Sequence, residues 1–481
     1  MSKEKVVIGN EGITDARTLG IPKMLLLGFQ HMFAMFGATV LVPLLTGLDV
    51  ATTLLMAGLG TLFFHLVTGL KVPAFLGSSF AFLGGYATVK AMGPDAGLTD
   101  AQMLPYACLG VAAAGLVYLV LAIIIKLVGV RRVMKFFPPV VTGPIIIAIG
   151  LGLSASAVNN CAANWPLALI ALAIVIIFNI WGKGMIKIIP IFLGVVGAYL
   201  VAVIVGNLCG VEGWAVDFSG VASADWFGFP IHKDSTILGV DWSKTSLIIS
   251  SIVAIVPISL ATMMEHIGDI SAIGATTGNN FIKDPGLHRT LIGDGVATTL
   301  ASLVGAPANT TYGENTGVLA LSKVYDPRVV RIAAIFAIAF SFSPKFAAIV
   351  SSIPTAVIGG ISFILYGMIS AIGVRNVVES KVDFTKSRNV IIAAVILVTT
   401  FGIKYSTGMG MDSAASIDGA LSFSIAGMNI SLSGLAVASI AGILLNAVLP
   451  GKDYEFTRDN PDTGVNFAAG QNTTRLEKNK K

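Results

Sequence analysis

Charge is what this sequence has least of. Lys, Arg, Asp and Glu make up only 12% of its 481 residues while 55% are apolar, and an ordinary soluble domain carries about 25% charged residues. A soluble globular chain is thereby excluded. Cysteine is nearly absent, and Cys108, Cys161 and Cys209 are too scattered for a disulfide framework or a metal site. There is no Gly-rich phosphate loop ending in Lys, no metal-ligand spacing and no nucleophile elbow, so ATP-driven transport and hydrolysis find no support. Ser78 and Ser79 have no His at a suggestive spacing, which argues against a membrane-embedded enzyme. The first 22 residues are polar and of mixed charge, without the apolar core and small-residue site of a removable leader. No cofactor is expected.

What the chain has instead is apolar runs longer than a soluble core helix needs, such as Leu109 to Ile125, Leu167 to Trp181 and Ile189 to Val205. They are continuous rather than alternating, so they read as helices and not as a transmembrane barrel. Apolar blocks between charged or Gly/Pro breaks number about fourteen, which predicts an all-α polytopic membrane protein. Span 8 is expected over 246 to 269, span 12 over 346 to 372 and span 14 over 428 to 449. The polar stretch 209–245 is the one long connection, read as extracytoplasmic. Residues 1–22 and 451–481 read as cytoplasmic tails, the latter disordered. With both termini inside, all but Lys90, Lys233, Lys244, Lys345 and Lys404 of the 31 Lys and Arg fall on the cytoplasmic side. A net charge of +5 therefore reflects membrane topology and lipid rather than a nucleic-acid partner.

The chain also repeats itself. Gln30-His31 and Glu265-His266 stand 235 positions apart, and the same offset lays Ser79-Phe80 on Glu314-Asn315. Farther on, Pro139 to Ala155 matches Pro354 to Ser370. Seven spans per half is an odd number, so the second half enters the membrane inverted relative to the first. The competing account is that any two apolar sequences resemble each other.

Spans 3 and 10 do not read as plain helices. Pro73 precedes Phe75-Leu76-Gly77-Ser78-Ser79-Phe80, and Pro307 precedes Asn309-Thr310-Thr311-Tyr312-Gly313-Glu314-Asn315. Such runs favour extended backbone. Unpaired backbone groups inside a bilayer cost several kcal/mol each, so the two extended pieces should pair with each other or line a cavity. Half-helices starting after them would aim N–H donors and positive dipole ends at the centre. In the blander account, Ser and Thr merely bond to helix carbonyls and Gly eases packing.

Nearly all acidic residues lie in loops or tails; the exceptions are Glu265, Asp269, Asp294 and Glu314. A carboxylate at the bilayer centre costs at least about 2.5 kcal/mol, so four in spans 8 to 10 require a purpose. Glu265 and Asp269 lie one helical turn apart, and two carboxylates in low dielectric cannot both stay ionised, which offers a route to proton coupling through Glu265, Asp269 and Glu314. The alternative is that these groups cap backbone or pair with Lys283 or Arg289. His31 and His266 are expected to be structural hydrogen-bonding residues rather than proton carriers.

These residues resemble those of the nucleobase-ascorbate transporter family, also called nucleobase-cation symporter family 2, and within it the bacterial uracil carriers. The resemblance covers nearly the whole chain and rests on Gln30-His31, Gly77 to Phe80, Glu265 to Asp269, Gly293-Asp294-Gly295 and Asn309 to Val318. It implies two inverted seven-span repeats, a core domain (23–130 and 246–345), a gate domain (131–208 and 346–450) and a homodimer in the bacterial cytoplasmic membrane. It also implies proton-coupled uracil uptake, with Glu265 and Glu314 as substrate-binding carboxylates and Phe80, Tyr312, Gly313 and Ser79 contributing ring and backbone contacts. Gln30, His31, His266, Asp294 and Asn315 are the expected supports. Purine carriers of the family usually have Gln in place of Glu314, which favours a pyrimidine. Several uracil carriers have His in place of Asp269, whereas the purine branch has Asp, so a xanthine or urate carrier stays open. An anion transporter of related architecture is disfavoured by two glutamates at the centre.

Overall fold

In lipid, a backbone must satisfy its own hydrogen bonds, and the long apolar runs do so as helices. The structure, a computed structural model, describes residues 12–406, 419–425 and 428–451. The tail expected beyond Gly451 and the start of the N-terminal tail lie outside the described residues. Among the described residues, eight helices are long and apolar enough to cross a membrane, from Ile21–Thr46 near the N-terminus to Ser387–Lys404. A ninth crossing is available if Pro327–Ser341 and Pro344–Ser351, bent by 90°, count as one. Trp165–Trp181 and Gly434–Val448 are shorter apolar helices. Side chains such as Leu127 and Val398 stay outward, as a lipid-facing surface allows.

Helix starts follow local chemistry. Thr99 and Gln102 form a reciprocal capping box ahead of Asp100–Val128. Proline opens Pro139–Gly152, Pro190–Ala202 and Pro327–Ser341, where its missing N–H costs nothing. Proline also explains where the spans depart from expectation. The single span expected over 346–372 is two helices, Pro344–Ser351 and Thr355–Glu379, with Pro354 capping the second. Span 8 continues to Thr277 and carries a 3-10 turn at Val256–Ile258 around Pro257. The start of the expected last span is a strand instead: Met428–Ser433 pairs antiparallel with Ala420–Ile425 before helix Gly434–Val448. The polar and apolar alternation of Ile430-Ser431-Leu432-Ser433 is the pattern of a strand, not of a helix.

Spans 3 and 10 are broken as expected. Strand β1, Leu76–Ser78, runs antiparallel to strand β2, Asn309–Thr311, with Leu76 opposite Thr311. Those two residues are 235 positions apart, the offset of the sequence repeat. The Tyr312 N–H donates to the Phe75 carbonyl at 3.1 Å on one side of this pair, and Gly77 faces Thr310 on the other. Exchanging the repeats maps one of these pairings onto the other, as a two-fold axis through the strand pair requires. The repeat-matched helices Pro139–Gly152 and Thr355–Glu379 also pack together, with the Ser370 hydroxyl donating to the Ile147 carbonyl at 3.1 Å.

Outside the helices, residues 13–16 strap the loop after span 10. The Ile13 N–H donates to the Lys323 carbonyl, the Tyr325 N–H donates back to the Ile13 carbonyl, and the Ala16 N–H donates to Asp326 Oδ2, each at 2.7 Å. Asp15 meets Arg328 at 3.0 Å, and its bond with the Arg17 side chain holds its carboxyl down at about 2, so the strap keeps its charge at any working pH.

Candidate functional site

The strand pair sets the site because each strand feeds a half-helix. β1 leads through Ser79–Phe82 into Leu83–Ala91, and β2 leads through Tyr312 into Gly313–Ser322. Since the strands are antiparallel, the two helices leave in opposite directions with their N-termini toward the pair. Neither helix has a side-chain cap, and at the first one the Leu83 N–H turns back to the Phe80 carbonyl at 3.1 Å. The strands are fixed from both neighbours. The Leu76 N–H donates to Thr61 Oγ1 at 2.9 Å, the Thr298 hydroxyl donates to the Asn309 carbonyl at 2.7 Å, and the Asn309 amide donates to the Met56 carbonyl at 3.0 Å. Gly77 is needed for closeness: a Cβ there would lie 2.5 Å from the Tyr312 ring.

Helix Ser259–Thr277 crosses beside β2 and brings Glu265 and Asp269. The Thr311 hydroxyl donates to Asp269 Oδ2 at 2.9 Å, and the other Asp269 oxygen lies 3.9 Å from where a Cβ on Gly313 would stand. Asp269 therefore sits at the mouth of the second half-helix. Glu265 is one turn away, within electrostatic reach of Glu314 in the first turn of that helix. Both glutamates are partly accessible, yet Glu265 Oε2 is buried and has no hydrogen-bond partner among the described residues. An acceptor left open at that depth is suited to a ligand N–H.

Tyr312 is tied down rather than free. Its hydroxyl donates to the Ser78 carbonyl at 2.9 Å and accepts from Thr39 at 3.2 Å, so its ring bridges the first helix and both strands. Phe80 packs edge-on to Tyr366, with ring centroids 5.8 Å apart. The Ser79 N–H donates to the Ala308 carbonyl at 2.9 Å, while its buried hydroxyl has no partner among the described residues.

The supporting residues separate into two groups. Asn315 donates to His31 at both Nδ1 and the carbonyl, each at 3.1 Å, which ties span 10 to span 1. His266 Nδ1 and Asp294 Oδ2 are 2.6 Å apart with both side chains fully buried. Asp294 is thus met by a histidine on the neighbouring helix, a partner that sequence spacing did not suggest. Gln30 is buried nearby on span 1 with its Nε2 unpartnered among the described residues. Thr39, Thr61, Thr298, Thr311 and Tyr366 were not singled out from the sequence. Threonines in apolar helices usually bond to their own backbone, so type and spacing alone do not distinguish Thr39, Thr61 and Thr298.

The arrangement offers carboxylate acceptors, helix-start N–H donors and aromatic faces, and among the described residues no group of three or more His, Cys, Asp or Glu could hold a metal ion. Comparison with known proteins gives a consistent picture. Residues 22–409 match the profile of the permease family. The chain is 43% identical over 454 residues to the uracil permease of Bacillus caldolyticus, covering 92% of this chain and 94% of that protein. It is 40% identical to the uracil permease of Bacillus subtilis, covering 94% of this chain and 97% of that one. In fold, it resembles the transmembrane domain of a cyanobacterium bicarbonate transporter, BicA, with a TM-score of 0.53 at 16% identity over 78% of this chain and 94% of that one. The resemblance carried by the short motifs thus extends along most of the sequence, and the chain belongs to the permease family, as a multi-span membrane transporter and not an enzyme.

Proposed function

We propose that this protein takes up uracil across the bacterial cytoplasmic membrane by proton-coupled alternating access. The observation that carries the reading is the Glu265 oxygen that has no partner among the described residues, within electrostatic reach of Glu314 at the start of helix Gly313–Ser322. Uracil presents ring N–H donors and carbonyl acceptors. The glutamates take the N–H groups, the half-helix N–H groups serve the carbonyls, and Phe80 and Tyr312 supply apolar faces to the ring. The names of the curated relatives support the same substrate.

In this reading both termini are cytoplasmic and fourteen membrane segments are counted, with the short broken pieces included. The core comprises 23–130 and 246–345, the gate comprises 131–208 and 346–450, and the protein works as a homodimer. Packing supports the division: helix Leu287–Leu303 lies against Asp100–Val128 and Val50–Val67, whereas Thr355–Glu379 lies against Pro139–Gly152 and Trp165–Trp181. Uptake of radiolabelled uracil, xanthine and sulfate by one vesicle preparation tests the assignment. Saturable uracil uptake at micromolar concentration is expected; its absence rejects the reading, and preferential xanthine uptake replaces it with the purine alternative.

For coupling, Glu265 and Asp269 share one proton that moves with each substrate. Two carboxylates one turn apart cannot both ionise in a medium of low dielectric, and Asp269 already accepts from Thr311. Asp269→Asn in proteoliposomes is expected to retain uracil binding and lose stimulation by an inward proton gradient. Stimulation equal to that of the unaltered protein would remove Asp269 from the coupling step.

A further inference from the structure

A cavity of about 180 Å³ opens between the first half-helix and helices Pro139–Gly152, Ser387–Lys404 and Gly434–Val448. Phe80 lines it at the end of β1, Thr88 on helix Leu83–Ala91, Thr400 and Lys404 on the last turns of Ser387–Lys404, and Ser433 at the cap of the final helix. None of the four carboxylates lines it. The wall is closely packed, since a Cβ on Gly434 would stand 2.3 Å from the Thr400 carbonyl. Lys404 is the one ionisable side chain in the lining, it is half-buried, and among the described residues no carboxylate pairs with it.

A half-buried ammonium has three donors and no acceptor, and it seeks oxygen acceptors. The carboxylate centre has the opposite character, accepting where Lys404 donates. Phe80 belongs to both places. We propose that this cavity is an outer subsite that holds the nucleobase before it reaches the carboxylates, with Lys404 donating to a ring carbonyl and Phe80 forming a shared apolar face. The inference rests on the uracil reading and on the proposed orientation, which puts Lys404 at the outer end of its helix. The ring is then recognised first by its carbonyl edge and afterwards by its N–H edge.

The competing role for Lys404 is a cation that favours a helix C-terminus and reaches outward with its charged end. Such a role affects transport from both sides equally. Initial uracil uptake is therefore measured in right-side-out and inside-out vesicles for unaltered protein, Lys404→Met and Lys404→Arg. The expected result for Lys404→Met is a KM raised about five- to tenfold from the outer side only, the loss of one charge-assisted hydrogen bond at a half-exposed site. Its maximal rate from the outer side and its KM from the inner side should stay within about twofold of the unaltered protein's values, while its maximal rate from the inner side falls by the same factor, as detailed balance requires. Lys404→Arg retains the charge and should keep the outer KM. Thiocarbonyl analogues of uracil, poorer acceptors, should be discriminated against by unaltered protein and not by Lys404→Met. An outer KM unchanged in Lys404→Met, or raised equally from both sides, overturns the subsite. Absence of saturable uracil uptake by the unaltered protein instead rejects the transport reading on which it stands.

Discussion

Glu265→Gln is expected to weaken uracil binding by about 2 kcal/mol, roughly thirtyfold in Kd, the contribution of a hydrogen bond to a charged group. The Glu265 oxygen that has no partner among the described residues is the one that a ring N–H would satisfy. Glutamine keeps the length and one carbonyl oxygen but loses the charge. Glu314→Gln is expected to weaken uracil similarly and to raise relative affinity for xanthine, since the amide adds donors where the carboxylate had only acceptors. Equilibrium binding of tritiated uracil and xanthine to purified protein measures both effects. Uracil affinity within twofold of the unaltered protein for Glu265→Gln would place the substrate elsewhere.

The second large effect concerns folding rather than binding. His266 and Asp294 touch at 2.6 Å in a region with no access to solvent, and leaving one buried polar group without its partner costs about 1 to 3 kcal/mol. His266→Ala leaves the Asp294 carboxyl without its partner, so a marked drop in melting temperature in detergent is expected, along with lower yield. Replacing both, as His266→Leu with Asp294→Leu, removes the buried polar groups together and should recover most of the stability. A single His266→Ala variant that melts with the unaltered protein would show the pair to be energetically idle. Because His266 adjoins Glu265 in the chain, uracil affinity of the double variant reports separately whether the pair also orients that glutamate.

Several of these features are legible in the sequence itself. The cost of a carboxylate in lipid pointed to Glu265, Asp269, Asp294 and Glu314, and the Pro-led runs before Phe80 and Glu314 pointed to paired extended segments. Both inferences use penalties so large that few arrangements avoid them. The partners of those groups were not legible. His266 finds Asp294 across two helices, and Thr311 finds Asp269, because of how the helices rotate, which depends on packing over the whole chain. The division of 346–372 into two helices is not readable from the sequence although Pro354 stands inside it, since an apolar run containing proline can kink or end. The terminal hairpin was missed because a short alternating stretch was absorbed into the apolar helix that follows it. In the sequence Lys404 stands out only as an exception to the charge rule; the fold is what places it in a cavity.

The strand pair in which Leu76 faces Thr311 has a consequence for how such a sequence can change over time. A slip of one residue in either strand would turn every side chain to the opposite face. The half-helix beyond would rotate with it, carrying Phe80 or Glu314 away from its station. Within the paired strands, neither copy of the repeat can therefore gain or lose a residue unless the other changes in the same step. Length in these two stretches is frozen by mutual constraint, while composition around them is free to drift, which leaves two descendants of one segment sharing a register long after they have ceased to share letters.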